Sequence, residues 1–139
     1  MNPTTRAIAV LCALGVSASS AIAGAREDLL SRYANAARAA DAGYAGPSAA
    51  SGEKLHRNRY AGGKPDTPAC TSCHGDDARA PGRTRAGKAI EPMAASVSPA
   101  RYTDPAKAEK WFKRNCTEVL GRECTPREKA DWLAWMSKQ

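Results

Sequence analysis

Cys70, Cys73 and His74, spaced as Cys70-Thr71-Ser72-Cys73-His74, are the residues of this chain best placed to do chemistry. Two thiols three positions apart, with an imidazole directly after the second, form a C-x-x-C-H arrangement. The thiols can close thioether bonds to a haem, and the histidine can ligate its iron from one face. The donor on the other face decides whether such a protein only moves electrons or also takes a small ligand. A zinc site would need two further ligands at matching spacing, and Cys116 and Cys124 are not set as a second knuckle. A thioredoxin-like dithiol would sit in a βαβ context, which the pattern lacks.

Candidates for the second face are few. Met93, in Ile90-Glu91-Pro92-Met93, is a loop methionine beside proline, but it comes early, with two helices still to follow. Met136 sits on a helix face at the C-terminus and reads as packing. Asn115, in Lys110-Trp111-Phe112-Lys113-Arg114-Asn115-Cys116, occupies the late position, on the helical side that carries Trp111 and Phe112. An amide there must satisfy its hydrogen bonds or find another partner, and spacing alone also allows it to cap the helix end. His56, within Glu53-Lys54-Leu55-His56-Arg57, is flanked by charges and reads as a surface histidine.

Helices position these groups, and no strand is readable. An N-terminal helix spans Arg26–Ala40, with Leu29, Leu30, Tyr33, Ala37 and Ala40 on one face. A second covers Ala50–Arg59, and Gly62-Gly63-Lys64-Pro65 turns the chain into the cysteine motif. Residues 75–103 form a Gly- and Pro-punctuated loop, too long to stand unsupported in a small domain, so it is expected to wrap the haem. Thr103-Asp104-Pro105 starts a helix over Pro105–Cys116, and Gly121 marks a break. Thr125-Pro126-Arg127-Glu128 is a capping box opening the last helix, Pro126–Lys138, which buries Ala130, Leu133 and Ala134.

The chain has 139 residues, enough for one small domain. Residues 1–23 read as a signal peptide: one positive charge, an apolar run over Ala7–Ala18 too short to span a bilayer comfortably, and Ala21-Ile22-Ala23 as the cleavage site. Residues 24–49 then form the N-terminal helix and linker, and 50–139 the main domain. Cys12 is lost with the signal, leaving Cys70, Cys73, Cys116 and Cys124, one haem-binding pair and one further pair. Export fits covalent haem attachment and disulfide formation, which belong outside the cytosol. The net charge of +7 is scattered among acids, which argues against nucleic-acid binding and allows steering of an acidic redox partner.

CTSCHG at 70–75, EKWFKRNC at 109–116, GREC at 121–124 and the terminal EKADWLAWM together resemble the SHP-type (sphaeroides haem protein) oxygen-binding cytochromes c, over residues 50–139. The resemblance implies an all-α, class I cytochrome c-like fold around one covalent haem c, with an additional N-terminal helix. It implies thioethers at Cys70 and Cys73, His74 as proximal iron ligand, Asn115 as second axial ligand and a Cys116–Cys124 disulfide. It further implies that the Asn leaves the iron on reduction, so that O2, NO or a similar small molecule binds. The implied partners are a dihaem cytochrome c and a membrane cytochrome b; the signal peptide makes the expected location the periplasm. No residue is assigned a catalytic role: the chain reads as an electron carrier and gas binder first, with oxidase or reductase activity secondary. The alternative is an ordinary His–Met electron-transfer cytochrome using Met93.

Overall fold

Local chemistry sets most helix ends in the computed structural model, which describes residues 14–139, with side chains from residue 20 onward. The signal-peptide n-region, most of its apolar run and Cys12 lie outside the described residues. Helix α1 covers Leu14–Ala40 and passes through residues 21–23 without a break. The sequence places the helix start at Arg26; the stretch before it is Ala- and Ser-rich with no proline, and the helix runs through Gly24. Helix α2 covers Ala49–Arg57, its N-cap Ser48 accepting from the Ser51 amide. Helix α3 is the single turn Thr71–His74. Two short strands, β1 (Gly82–Arg83) and β2 (Ala89–Ile90), pair antiparallel, with Gly82 opposite Ile90. The sequence reading has no strands; at two residues each, these are too short to show alternation.

Helix α4 runs Pro105–Leu120, one turn past the expected end, from the Asp104 cap to Gly121, whose left-handed φ of 73° ends it. Helix α5 covers Pro126–Met136 behind the predicted capping box: the Thr125 hydroxyl accepts from the Glu128 amide, and the Glu128 carboxylate accepts from the Thr125 amide. Among the described residues no helix is long and apolar enough to cross a membrane.

Helix α5 is the hub. Leu29, Tyr33, Ala34 and Ala37 of α1, Phe112 of α4 and Leu133 of α5 form one buried cluster, with Tyr33 edge-on to Phe112 at 5.6 Å. Asp131, buried in α5, accepts from the Ser48 amide at 2.7 Å and the Tyr44 hydroxyl at 3.4 Å, tying the start of α2 to α5. A second cluster joins Ala78, Met93 and Ala94 of the long loop to Trp135 and Met136. The loop expected to wrap the haem thus closes around the end of α5: the Met93 and Ala94 amides both donate to the Ala78 carbonyl, and the Ala95 amide donates to that of Met136.

One stability prediction belongs to this scaffold. Arg122 reaches the Glu128 carboxylate through two hydrogen bonds, at 2.7 and 2.8 Å, and holds its pKa below the usual carboxylate value. A depressed carboxylate pKa adds stability that is complete above the unfolded value and disappears as pH falls through the folded one. Glu128→Gln is therefore expected to lower the melting temperature at neutral pH, by an amount corresponding to about 1 kcal/mol. The gap from the wild type should narrow as pH drops below about 4.3. Thermal melts of both proteins across pH 2.5–7 check it; a gap constant with pH would refute the assignment.

Candidate functional site

The haem motif occupies one helical turn. Cys70 immediately precedes α3, and its carbonyl accepts from the Cys73 amide at 3.3 Å and the His74 amide at 3.1 Å, which brings the three side chains of the motif together. Both thiols are free. Burial pushes the Cys70 thiol up to about 11, and burial, then the nearby Glu118 carboxylate, raises that of Cys73. A redox dithiol needs one thiolate favoured, so this environment suits thiols destined for covalent capping rather than exchange.

His74 is half-buried, and burial first, then the charges of His56 and Arg101, pushes its pKa down to about 4. Its imidazole is neutral at physiological pH, the form that ligates a metal, and its buried Nδ1 has no hydrogen-bond partner. Two protonated free thiols, a neutral imidazole and an unspent buried nitrogen in a single turn fit a covalent haem. Cys116 and Cys124 are joined in a disulfide with Cα atoms 5.5 Å apart, so they are not open to a metal. No group of three His, Cys, Asp or Glu side chains forms a metal cluster among the described residues.

Helix α4 carries Asn115, and its C-terminal end reaches the loop that leads into the motif. The Lys64 amide donates to the Glu118 carbonyl at 2.7 Å, and a Cβ at Gly63 would collide with the Glu118 and Val119 backbone, so the end of α4 lies tight on the loop that enters the motif. Asn115 lies one turn before Glu118 on that helix; its side chain is half-buried and makes no hydrogen bond among the described residues. It is not a helix cap, because α4 continues to Leu120. The grouping of Trp111 with Phe112 does not hold: Phe112 is buried, whereas Trp111 is 44% exposed with the Arg114 guanidinium 5.5 Å from its ring centroid.

Met93 is buried beside Trp135 and Met136, its backbone held by Ala78 and by the Tyr102 hydroxyl. Met136 is fully buried, as a packing residue. The largest departure is His56. It is not a surface residue but fully buried, with its ring 6.3 Å from that of His74 and 4.9 Å from that of Trp135. Its signal in the sequence was the i, i+4 spacing from Gly52, which puts both on the face of α2 that crosses α5.

Comparison with known proteins shows the family. A family model described as a domain of unknown function, DUF1924, matches residues 42–136. The chain is 56% identical over 88 residues to the cytochrome c-type protein SHP of Cereibacter sphaeroides, covering 63% of this chain and 68% of that protein. It is 33% identical over 111 residues to cytochrome c'' of Methylophilus methylotrophus, covering 79% of this chain and 77% of the relative. Among solved structures, oxidised SHP, described as an oxygen-binding cytochrome c, superposes with a TM-score of 0.76 at 48% identity, over 82% of this chain and 96% of the other. Oxidised cytochrome c'' superposes with a TM-score of 0.74 at 32% identity, over 84% of this chain and 95% of the other. The all-α architecture, the C-x-x-C-H turn and these relatives agree: the chain belongs to the SHP family of c-type cytochromes, with covalently bound haem c as its cofactor.

Proposed function

We propose that this protein is an exported monohaem cytochrome that carries electrons and takes a small diatomic molecule such as O2 or NO when reduced, with Asn115 as the group that opens and closes the site. Bound haem c would supply a one-electron couple and an iron that takes protein ligands. Cys70 and Cys73 tether it, and neutral His74 supplies the proximal nitrogen. Asn115 would supply the second iron donor, a neutral amide oxygen. A hard, weak oxygen donor of this kind would suit oxidised iron better than reduced iron, and once off the iron the Asn115 amide N–H would be available to donate to a small ligand.

The observation that carries this reading is Asn115 itself, half-buried in α4 with no side-chain hydrogen bond among the described residues. A half-buried amide with no protein partner is free to take another one. The oxygen-binding description of the SHP relative supports the same reading, as does the solution structure of cytochrome c'', which is described in terms of haem-ligand detachment and superposes with a TM-score of 0.71. Residues 1–23 are the export signal, which puts the protein in the periplasm. Electrons come from a partner cytochrome, a dihaem cytochrome c with a membrane cytochrome b behind it, drawn by the basic surface.

The test is the optical spectrum of the purified holoprotein, oxidised, dithionite-reduced and then under carbon monoxide. A high-spin reduced spectrum that shifts at once with the gas is the expected result. A low-spin reduced spectrum untouched by the gas would assign the sixth position to a donor that stays, and the protein would be a simple electron carrier.

A further inference from the structure

His56 has no role in the function proposed above, yet it is the only fully buried imidazole among the described residues. Its two nitrogens have distinct partners. Nε2 lies 3.3 Å from the carbonyl oxygen of Gly75, which can only accept, so Nε2 carries the proton and donates. Nδ1 is then the bare nitrogen, and it accepts from the Trp132 indole Nε1 at 3.4 Å. Trp135 packs against the ring, so burial is complete and the neutral form is favoured.

Gly75 is the residue directly after His74, and it is clamped from both sides. Its amide donates to the Thr71 carbonyl at 3.0 Å, inside α3, and its carbonyl meets His56. Its φ of 68° is a conformation that a glycine adopts without strain. The next residue is held by the next side chain: Arg57 donates to the Asp76 carboxylate at 3.0 Å and to the Asp76 carbonyl at 3.1 Å. The last turn of α2 therefore grips the exit of the C-x-x-C-H turn with one buried and one exposed arm, and Trp132 anchors the buried arm to α5.

Resting on the assignment of His74 as an iron ligand, we infer that His56 is a positioning residue for the proximal histidine, which through the Gly75 carbonyl and its own ring sets the orientation of His74. A group that orients a metal-ligating histidine changes the properties of the metal when it is removed. Phenylalanine would fill the same space without a donor, whereas glutamine keeps an N–H that can reach the Gly75 carbonyl.

The experiment compares wild type, His56→Phe and His56→Gln as holoproteins, by electron paramagnetic resonance of the oxidised form and by the reduced-to-oxidised ratio at a fixed applied potential. His56→Phe is expected to change that ratio by at least about fivefold and to alter the resonance signature. His56→Gln should stay within about twofold of the wild type, because the donor is restored. An unaltered His56→Phe, or a His56→Gln displaced as far as His56→Phe, overturns the inference. A wild-type signature without a nitrogen ligand from histidine overturns the His74 assignment as well, so the two failures are distinguishable. If His56→Phe does not fold, nitrogen NMR of the wild type decides. A slowly exchanging Nε2–H on His56 supports the clasp, and an Nδ1–H tautomer refutes it.

Discussion

Asn115→Ala is expected to change the oxidised spectrum of the holoprotein outright, leaving the iron open or water-bound, while its reduced carbon monoxide complex forms as in the wild type. The asymmetry follows from the proposed chemistry: the amide oxygen is a ligand of the oxidised state alone, so its loss is felt there. The same argument fixes the direction of the redox change. A donor that prefers oxidised iron stabilises that state, so its removal makes reduction easier and raises the potential. If the freed amide hydrogen-bonds bound O2, the variant should release O2 about tenfold faster, the equivalent of one lost hydrogen bond of about 1.4 kcal/mol. Folding should not confuse the readout, because alanine is the better helix former within α4 and Asn115 makes no hydrogen bond to lose among the described residues. An oxidised spectrum identical to that of the wild type would show that Asn115 is not a ligand.

Gly52→Ala should have the largest effect on the fold. At an exposed helical position this change would stabilise by about 1 kcal/mol, since alanine is the better helix former. Here the added methyl would meet the Asp131 carbonyl and lie 2.8 Å from the Trp132 Cα, both backbone atoms of α5 that cannot swing aside. Helices α2 and α5 would have to separate, stretching the bond from the Ser48 amide to Asp131 and that from Trp132 to His56. A loss of about 3 kcal/mol is expected despite the gain in propensity. Urea denaturation of the holoprotein measures it, and a variant as stable as the wild type would mean that the two helices do not cross so closely.

Particular residues show how legible the molecule was. The cysteine pair and His74 could be found because their chemistry is set by spacing along the chain, within a single turn that the backbone supplies. Asp104, Gly121, Thr125 and Glu128 were readable for the same reason, since a cap acts on amides and carbonyls three or four residues away. The end of α1 at Ala40 is readable from the glycine and proline after it, but its upstream extent is not, because the helix runs through Gly24 in a stretch otherwise rich in alanine. Position along the chain points to Asn115, with capping as its rival role, and the extension of α4 to Leu120 removes that rival.

The attachment motif, the helical class and most of the caps follow from residue order, because each depends on neighbours in the chain. Tertiary structure alone decided the rest. His56 looks like a surface residue among its charged neighbours, and only the crossing of α2 and α5 brings it to Trp132, 76 residues away in sequence, and seals it from water. Asp131 reads as one more helix charge until the chain before α2 presents the Ser48 amide to it, 83 residues away. Trp111 has the pattern of a core residue, and the register of α4 against the core turns Phe112 inward and leaves Trp111 half outside. Helical spacing says which side chains share a face, but only the packing of one helix on another says which face is buried.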